Sequence, residues 1–194
     1  MSLHGPTAKE DQRVVMVIDS AGTTLTATHA ELNLMDGVLA TVAEINRATD
    51  TSTRVVTLTG DTAITELAHD KKLILLGEVG GNASLTATLP AATGSGAVFK
   101  FIVSVVNTSN YVIAVVGNDT MDGSITSLAD GGDTVVGWET AADSETITMN
   151  ATTTGGVSIG DTVTLIDIAT DQWAVEGRTT SSGTEATPFS AAVS

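Results

Sequence analysis

The run VFKFIVSVV (Val98 to Val106), followed by NTSN (Asn107 to Asn110) and YVIAVV (Tyr111 to Val116), decides the fold class. Both apolar runs are dominated by β-branched and aromatic residues, which fit a pleated surface. The first is apolar almost throughout and reads as a central strand. Asn107-Thr108-Ser109-Asn110 is turn chemistry, so the two runs are expected to form a hairpin.

The same signals recur on either side. Leu85, Ala87 and Leu89 alternate with Thr86 and Thr88, the period-two pattern of a half-buried strand, and Pro90 ends it by withholding an amide. Further strands are expected at 54–59, 73–77, 134–140, 145–150, 162–168 and 172–178, with a short one at 124–128. Ala63 to His69 is also expected as a strand, although a helical turn is open there. Gly60-Asp61, Gly80-Gly81-Asn82, Gly155-Gly156, Gly160-Asp161 and Thr170-Asp171 supply turns. Short strands separated by frequent turns predict a mainly β protein with a β-sandwich or barrel-like body.

Upstream the pattern changes. THAELN (28–33) returns as TVAEIN (41–46), and each copy places a Thr three residues before a Glu. In that capping box the Thr hydroxyl accepts the N3 amide and the Glu reaches back to the N-cap amide. Each copy therefore predicts a short helix, with Asp36-Gly37 as a stop between them. Helices this short are marginal alone and must dock on something. The expected organisation is an arm at 1–27 with a strand at 13–19, a helical pair at 28–48, a β-rich body at 49–178 and a Ser/Thr/Ala-rich tail at 179–194 that has little to bury except Phe189.

Composition limits the chemistry. The 194 residues are 42% hydrophobic but only 3% aromatic, so the core must be largely aliphatic. Without cysteine there is no disulfide, thiolate metal site or thiol nucleophile. A net charge of −15 with eight scattered basic residues argues against nucleic acid, which requires clustered Lys and Arg. No secretion signal or membrane span is expected, since neither a basic-then-apolar leader nor an apolar run of about 18 residues is present.

No motif supports catalysis or a cofactor. His4, His29 and His69 lack metal-ligand spacing. His69-Asp70 with a serine is a weak basis for a triad without a nucleophile elbow. Gly94-Ser95-Gly96 has neither the third glycine of a dinucleotide loop nor a P-loop lysine. The run 118–123 resembles the start of a calcium loop, but Ala129 stands where the closing Glu belongs. Trp138 and Trp173 each sit in an expected strand, as core anchors or as interface anchors.

Longer phrases carry a resemblance. TATHAELNLMDGV (26–38) and AEINRATD (43–50) resemble phrases common in tailed-bacteriophage structural proteins, in both tail fibres and heads. TLPAATGSGAVFKFIV (88–103), NDTMDGSI (118–125) and WAVEG with SGTEATPFS (173–177 and 182–190) resemble phage head decoration, or capsid cement, proteins. The resemblance spans most of residues 26–190. It implies a non-enzymatic, β-rich homotrimer on the outer surface of the virion capsid. There it would sit at three-fold and quasi-three-fold positions, clamp the major capsid protein and resist internal DNA pressure. It implies no cofactor, no nucleic acid and no membrane. Candidate interface residues are Val15, Val17, Leu32, Met35, Ile45, Trp138, Trp173 and Phe189, with the arm and helical pair expected to touch capsid or a neighbouring subunit. The alternative is a tail-fibre or baseplate segment acting as a host-binding module, for which many shaft repeats would be expected.

Overall fold

A computed structural model describes residues 38–49, 54–129 and 134–191. The expected arm, its strand at 13–19 and the first helix of the pair lie outside these residues. Contacts divide the chain between Ala48 and Thr49.

The second copy of the repeated phrase forms helix α1 (Val42–Thr49). Its capping box is complete. The Thr41 amide donates to Glu44 Oε2 at 2.7 Å, and the Glu44 amide donates to Thr41 Oγ1 at 3.3 Å.

From Val55 onward the regular structure is almost entirely strand: β1 (Val55–Leu58), β2 (Thr62–Ala63), β3 (Leu73–Leu76), β4 (Leu85–Thr88), β5 (Val98–Val103) and β6 (Tyr111–Ala114). Then follow β7 (Thr120–Ala129), β8 (Val135–Glu139), β9 (Thr146–Met149), β10 (Thr162–Ala169), β11 (Gln172–Ser181) and β12 (Phe189–Ser190). A seven-stranded sheet has the order β1-β3-β5-β10-β11-β7-β8, and a five-stranded sheet the order β12-β9-β6-β4-β2. Side chains from both enter one buried cluster, so the body is a β-sandwich.

The first six strands alternate between the sheets. β1, β3 and β5 pair in parallel in the larger sheet, and β2, β4 and β6 pair in parallel in the smaller one. The chain therefore winds as a parallel coil before antiparallel β10 and β9 close on β5 and β6. The hairpin expected from 98–116 does not form: β5 and β6 lie in different sheets. Buried Asn107 accounts for the difference. Its Nδ2 donates to Ala83 O at 2.6 Å, just before β4, while its Oδ1 accepts the Ser109 amide at 2.9 Å. The turn is thereby tied to the smaller sheet.

Three other boundaries move. Residues 66–69 form helix α2 (Glu66–His69) rather than continuing a strand, because the Thr65 hydroxyl accepts the Ala68 amide and Thr65 becomes an N-cap. The loop expected at 118–123 is mostly the start of the ten-residue β7. Within the stretch read as a tail, β11 runs on to Ser181, and Phe189–Ser190 pairs with β9. Phe189 joins the core cluster, which gives this polar stretch an apolar anchor within its own chain.

β5 shows why the sandwich holds. Phe99, Phe101 and Val103 are fully buried, while Lys100 points outward. Each such buried side chain contributes about 1.5–3 kcal/mol. Trp173 of β11 lies in the same layer, its ring 5.7 Å from that of Phe99.

Candidate functional site

The buried polar groups hold the turns. Asp167 on β10 is almost wholly enclosed by the loop that returns from β4 to β5. Its Oδ1 accepts the Gly94 amide at 2.6 Å, and its Oδ2 accepts the Ser95 amide at 3.0 Å and the Ser95 hydroxyl at 2.8 Å. The Thr93 amide lies 3.0 Å from Oδ2. Burial pulls the Asp167 carboxyl upward, but these donors together outweigh it and leave the pKa below the ordinary value. Gly94-Ser95-Gly96 is thus wrapped on a carboxylate of its own chain.

Asp161 is the contrasting case. Oδ2 accepts the Gly156 and Thr180 amides, each at 2.9 Å, and Oδ1 accepts the Thr180 hydroxyl at 3.1 Å. Here burial wins over the hydrogen bonds and the pKa is raised. Glu78 closes the turn between β3 and β4 by accepting the Asn82 amide at 2.8 Å. Tyr111 accepts the Glu78 amide at 3.2 Å and donates to Val105 O at 2.8 Å. Burial raises its pKa.

The residues singled out by sequence fall in separate places. His69 is buried at the end of α2 with Nδ1 3.1 Å from the Thr65 amide, and burial lowers its pKa. His4 and His29 lie outside the described residues. Asp119 turns inward to accept the Ala92 amide and the Trp173 indole, so this part of the calcium-like run faces the core. Among the described residues, no group of three or more His, Asp or Glu could hold a metal. No helix among them is long and apolar enough to cross a membrane.

Val15, Val17, Leu32 and Met35 lie outside the described residues. Ile45 is half-buried in α1. Trp173 is fully buried, and Phe189 is buried in the core cluster. Trp138 is half-buried on edge strand β8, packed against the core, and its buried Nε1 has no partner among the described residues. Within the body, Trp173 and Phe189 thus belong to the core cluster and Trp138 packs against it.

One feature was missed by the sequence reading. A groove of about 470 Å³ runs across the outer face of the larger sheet, lined by Lys100, Thr126, Leu128, Val135, Thr162 and Arg178 among others. The available signal was a lone cation at an outward position in each of two alternating strands.

The fold and these contacts define a mainly β two-sheet sandwich whose turns are fastened by buried polar side chains. No family model matches the chain, and neither a curated protein nor a solved structure is matched to it.

Proposed function

We infer that the protein is a non-enzymatic structural subunit that decorates a tailed-phage capsid. It would act as a homotrimer on the outer surface, at three-fold and quasi-three-fold positions, cementing major capsid proteins against internal DNA pressure. The observation that carries this reading is the set of phrases at 88–103, 118–125, 173–177 and 182–190 that resemble head decoration proteins, beside those at 26–38 and 43–50 that resemble tailed-phage structural proteins of both heads and tail fibres. The turn staples are compatible with it: Asp119, Asp161, Asp167 and Glu78 use their carboxylates to hold the body together. The charge of −15 suits an exterior position away from DNA. Repeated contacts of about 1,000 Å² or more around each three-fold would add avidity without chemistry.

The parallel coil of β1 to β6 favours a second reading, a tail-fibre or baseplate segment that binds the host, because coils of this kind extend by repetition. Here β9 and β10 close the coil on one side. Co-sedimentation with expanded capsids lacking the protein separates the two. Saturation at three copies per three-fold site supports the cement reading. No binding to shells, together with binding to host cells, overturns it in favour of the fibre. Deleting residues 2–12 is expected to weaken shell binding if the arm contributes.

A further inference from the structure

The groove on the larger sheet has no part in the reading above. A row of paired residues, Ile102, Thr162, Arg178, Thr126 and Gly137, crosses β5, β10, β11, β7 and β8 here, and Thr162, Arg178 and Thr126 of that row line the groove. Beyond Arg178 that row holds only a threonine and a glycine, which leaves a trough. Leu128 and Val135 form an aliphatic wall, 37% and 61% exposed.

Lys100 and Arg178 project into this trough from exposed positions. Neither has an ion-pair partner among the described residues. The acid in the lining, Asp161, is 6% exposed, and both its oxygens are committed to the Gly156 and Thr180 donors. Glu176 lies two residues along β11, opposite Thr164, and does not line the groove. On a chain of net charge −15, the groove itself therefore presents two cations beside exposed aliphatic surface, while the exposed Glu176 and Glu139 lie one row along the same face, outside its lining.

We propose that the groove docks an extended acidic, aliphatic polypeptide segment, its carboxylates on Lys100 and Arg178 and its aliphatic side chains on Leu128 and Val135. Charge complementarity and the aliphatic wall specify the occupant. A nucleic acid would need more cations than the groove holds and would meet repulsion from the rest of the chain. An acidic sugar would lack an aromatic ring to stack on, since none lines the site. From β5 to β8 there are four strand spacings of about 4.8 Å, roughly 19 Å, which an extended chain covers in about six residues. Exposed ion pairs contribute little each, so binding is weak and salt-sensitive.

The test uses the full chain and a fluorescein-labelled peptide of about seven residues alternating Glu and Leu, read by fluorescence anisotropy at low salt. Saturable binding is expected, weakened about fivefold or more by roughly 0.3 M salt. Lys100→Gln with Arg178→Gln should remove it without moving the unfolding midpoint, because both side chains are exposed. Leu128→Ser with Val135→Ser should weaken it, whereas Lys71→Gln, outside the groove, should not. The proposal is overturned by absence of saturable binding, by equal affinity for a Gln/Leu peptide or by wild-type affinity in the double-Gln variant. Displacement by an equal concentration of inorganic sulfate also overturns it, since that defines a small-anion site. The experiment contains no capsid, so its outcome is independent of the decoration reading.

Discussion

The Asp119 carboxylate accepts the indole N–H of Trp173 at 3.2 Å inside the core, and the same oxygen accepts the Ala92 amide at 2.7 Å. One oxygen thus joins the largest buried side chain on β11 to the loop that leaves β4. Replacing Asp119 by Ala would strand both donors in a dry site. Each unsatisfied buried group costs about 1–3 kcal/mol, so Asp119→Ala should lose roughly 2–4 kcal/mol of stability in urea unfolding. Trp173→Phe keeps most of the ring contact with Phe99 and should lose less. Equal stability of Asp119→Ala and the parent would show that the hydrogen bonds contribute nothing.

Asp167 makes acid stability predictable in sign. Its pKa in the fold lies below the ordinary carboxylate value, so the unfolded chain takes up the proton first as pH falls. The resulting stabilisation is fully present above the unfolded value of about 3.9 and is lost as pH falls through the lowered folded value. Urea midpoints of the parent should drop across that window. Asp167→Asn should start lower at neutral pH and lose less on acidification, because it has no charge to lose. Asp161, with its raised pKa, contributes with the opposite sign, which is why the single-site variant is needed.

Sequence made the strands legible but not their partners. The alternation in 98–103 places Phe99, Phe101 and Val103 inside and Lys100 outside, as found. Local turn residues at 107–110 show that the chain bends, but they carry no information on which sheet it enters. That choice is made by Asn107 reaching Ala83, a contact between residues distant in sequence. The same limit applies to the staples. Asp119 and Asp161 look like ordinary turn acids in the chain and Asp167 like a polar position in an expected strand, and only burial distinguishes them. The capping box at Thr41 was readable because its two partners are three residues apart. The groove was not, because Lys100 and Arg178 converge only through the pairing of β5, β10 and β11.

His69 should titrate below the ordinary histidine value of about 6.5, since burial disfavours its charged form and Lys72 adds repulsion. Nδ1 lies 3.1 Å from the Thr65 amide and 3.2 Å from the Thr65 carbonyl, so the neutral ring accepts or donates there according to its tautomer. A folded pKa below the unfolded one means that the stabilisation is complete above about 6.5 and is lost as pH falls through the lowered value. NMR titration of the His69 ring gives its midpoint directly. A midpoint at or above 6.5 would contradict the assigned burial effect. His69→Gln should flatten this part of the stability profile.

Gly123 is the position in β7 where a side chain cannot be added. Its φ of +149° is rarely adopted by L residues, and a Cβ there would run into the Val175 carbonyl of the adjacent, parallel β11. The obstacle is backbone in a paired strand, so neither a rotamer change nor a small shift of one side chain relieves it. Gly123→Ala should therefore cost about 2 kcal/mol or more, by backbone strain and by separation of the β7–β11 pair. Gly137, on the neighbouring β8, has open space where its Cβ would be added. Gly137→Ala is the matched control and should stay within about 0.5 kcal/mol of the parent. Thermal or urea unfolding of the two variants side by side checks the argument. If Gly123→Ala unfolds with the parent, the close approach of β7 to β11 at Val175 is not a feature of the folded protein.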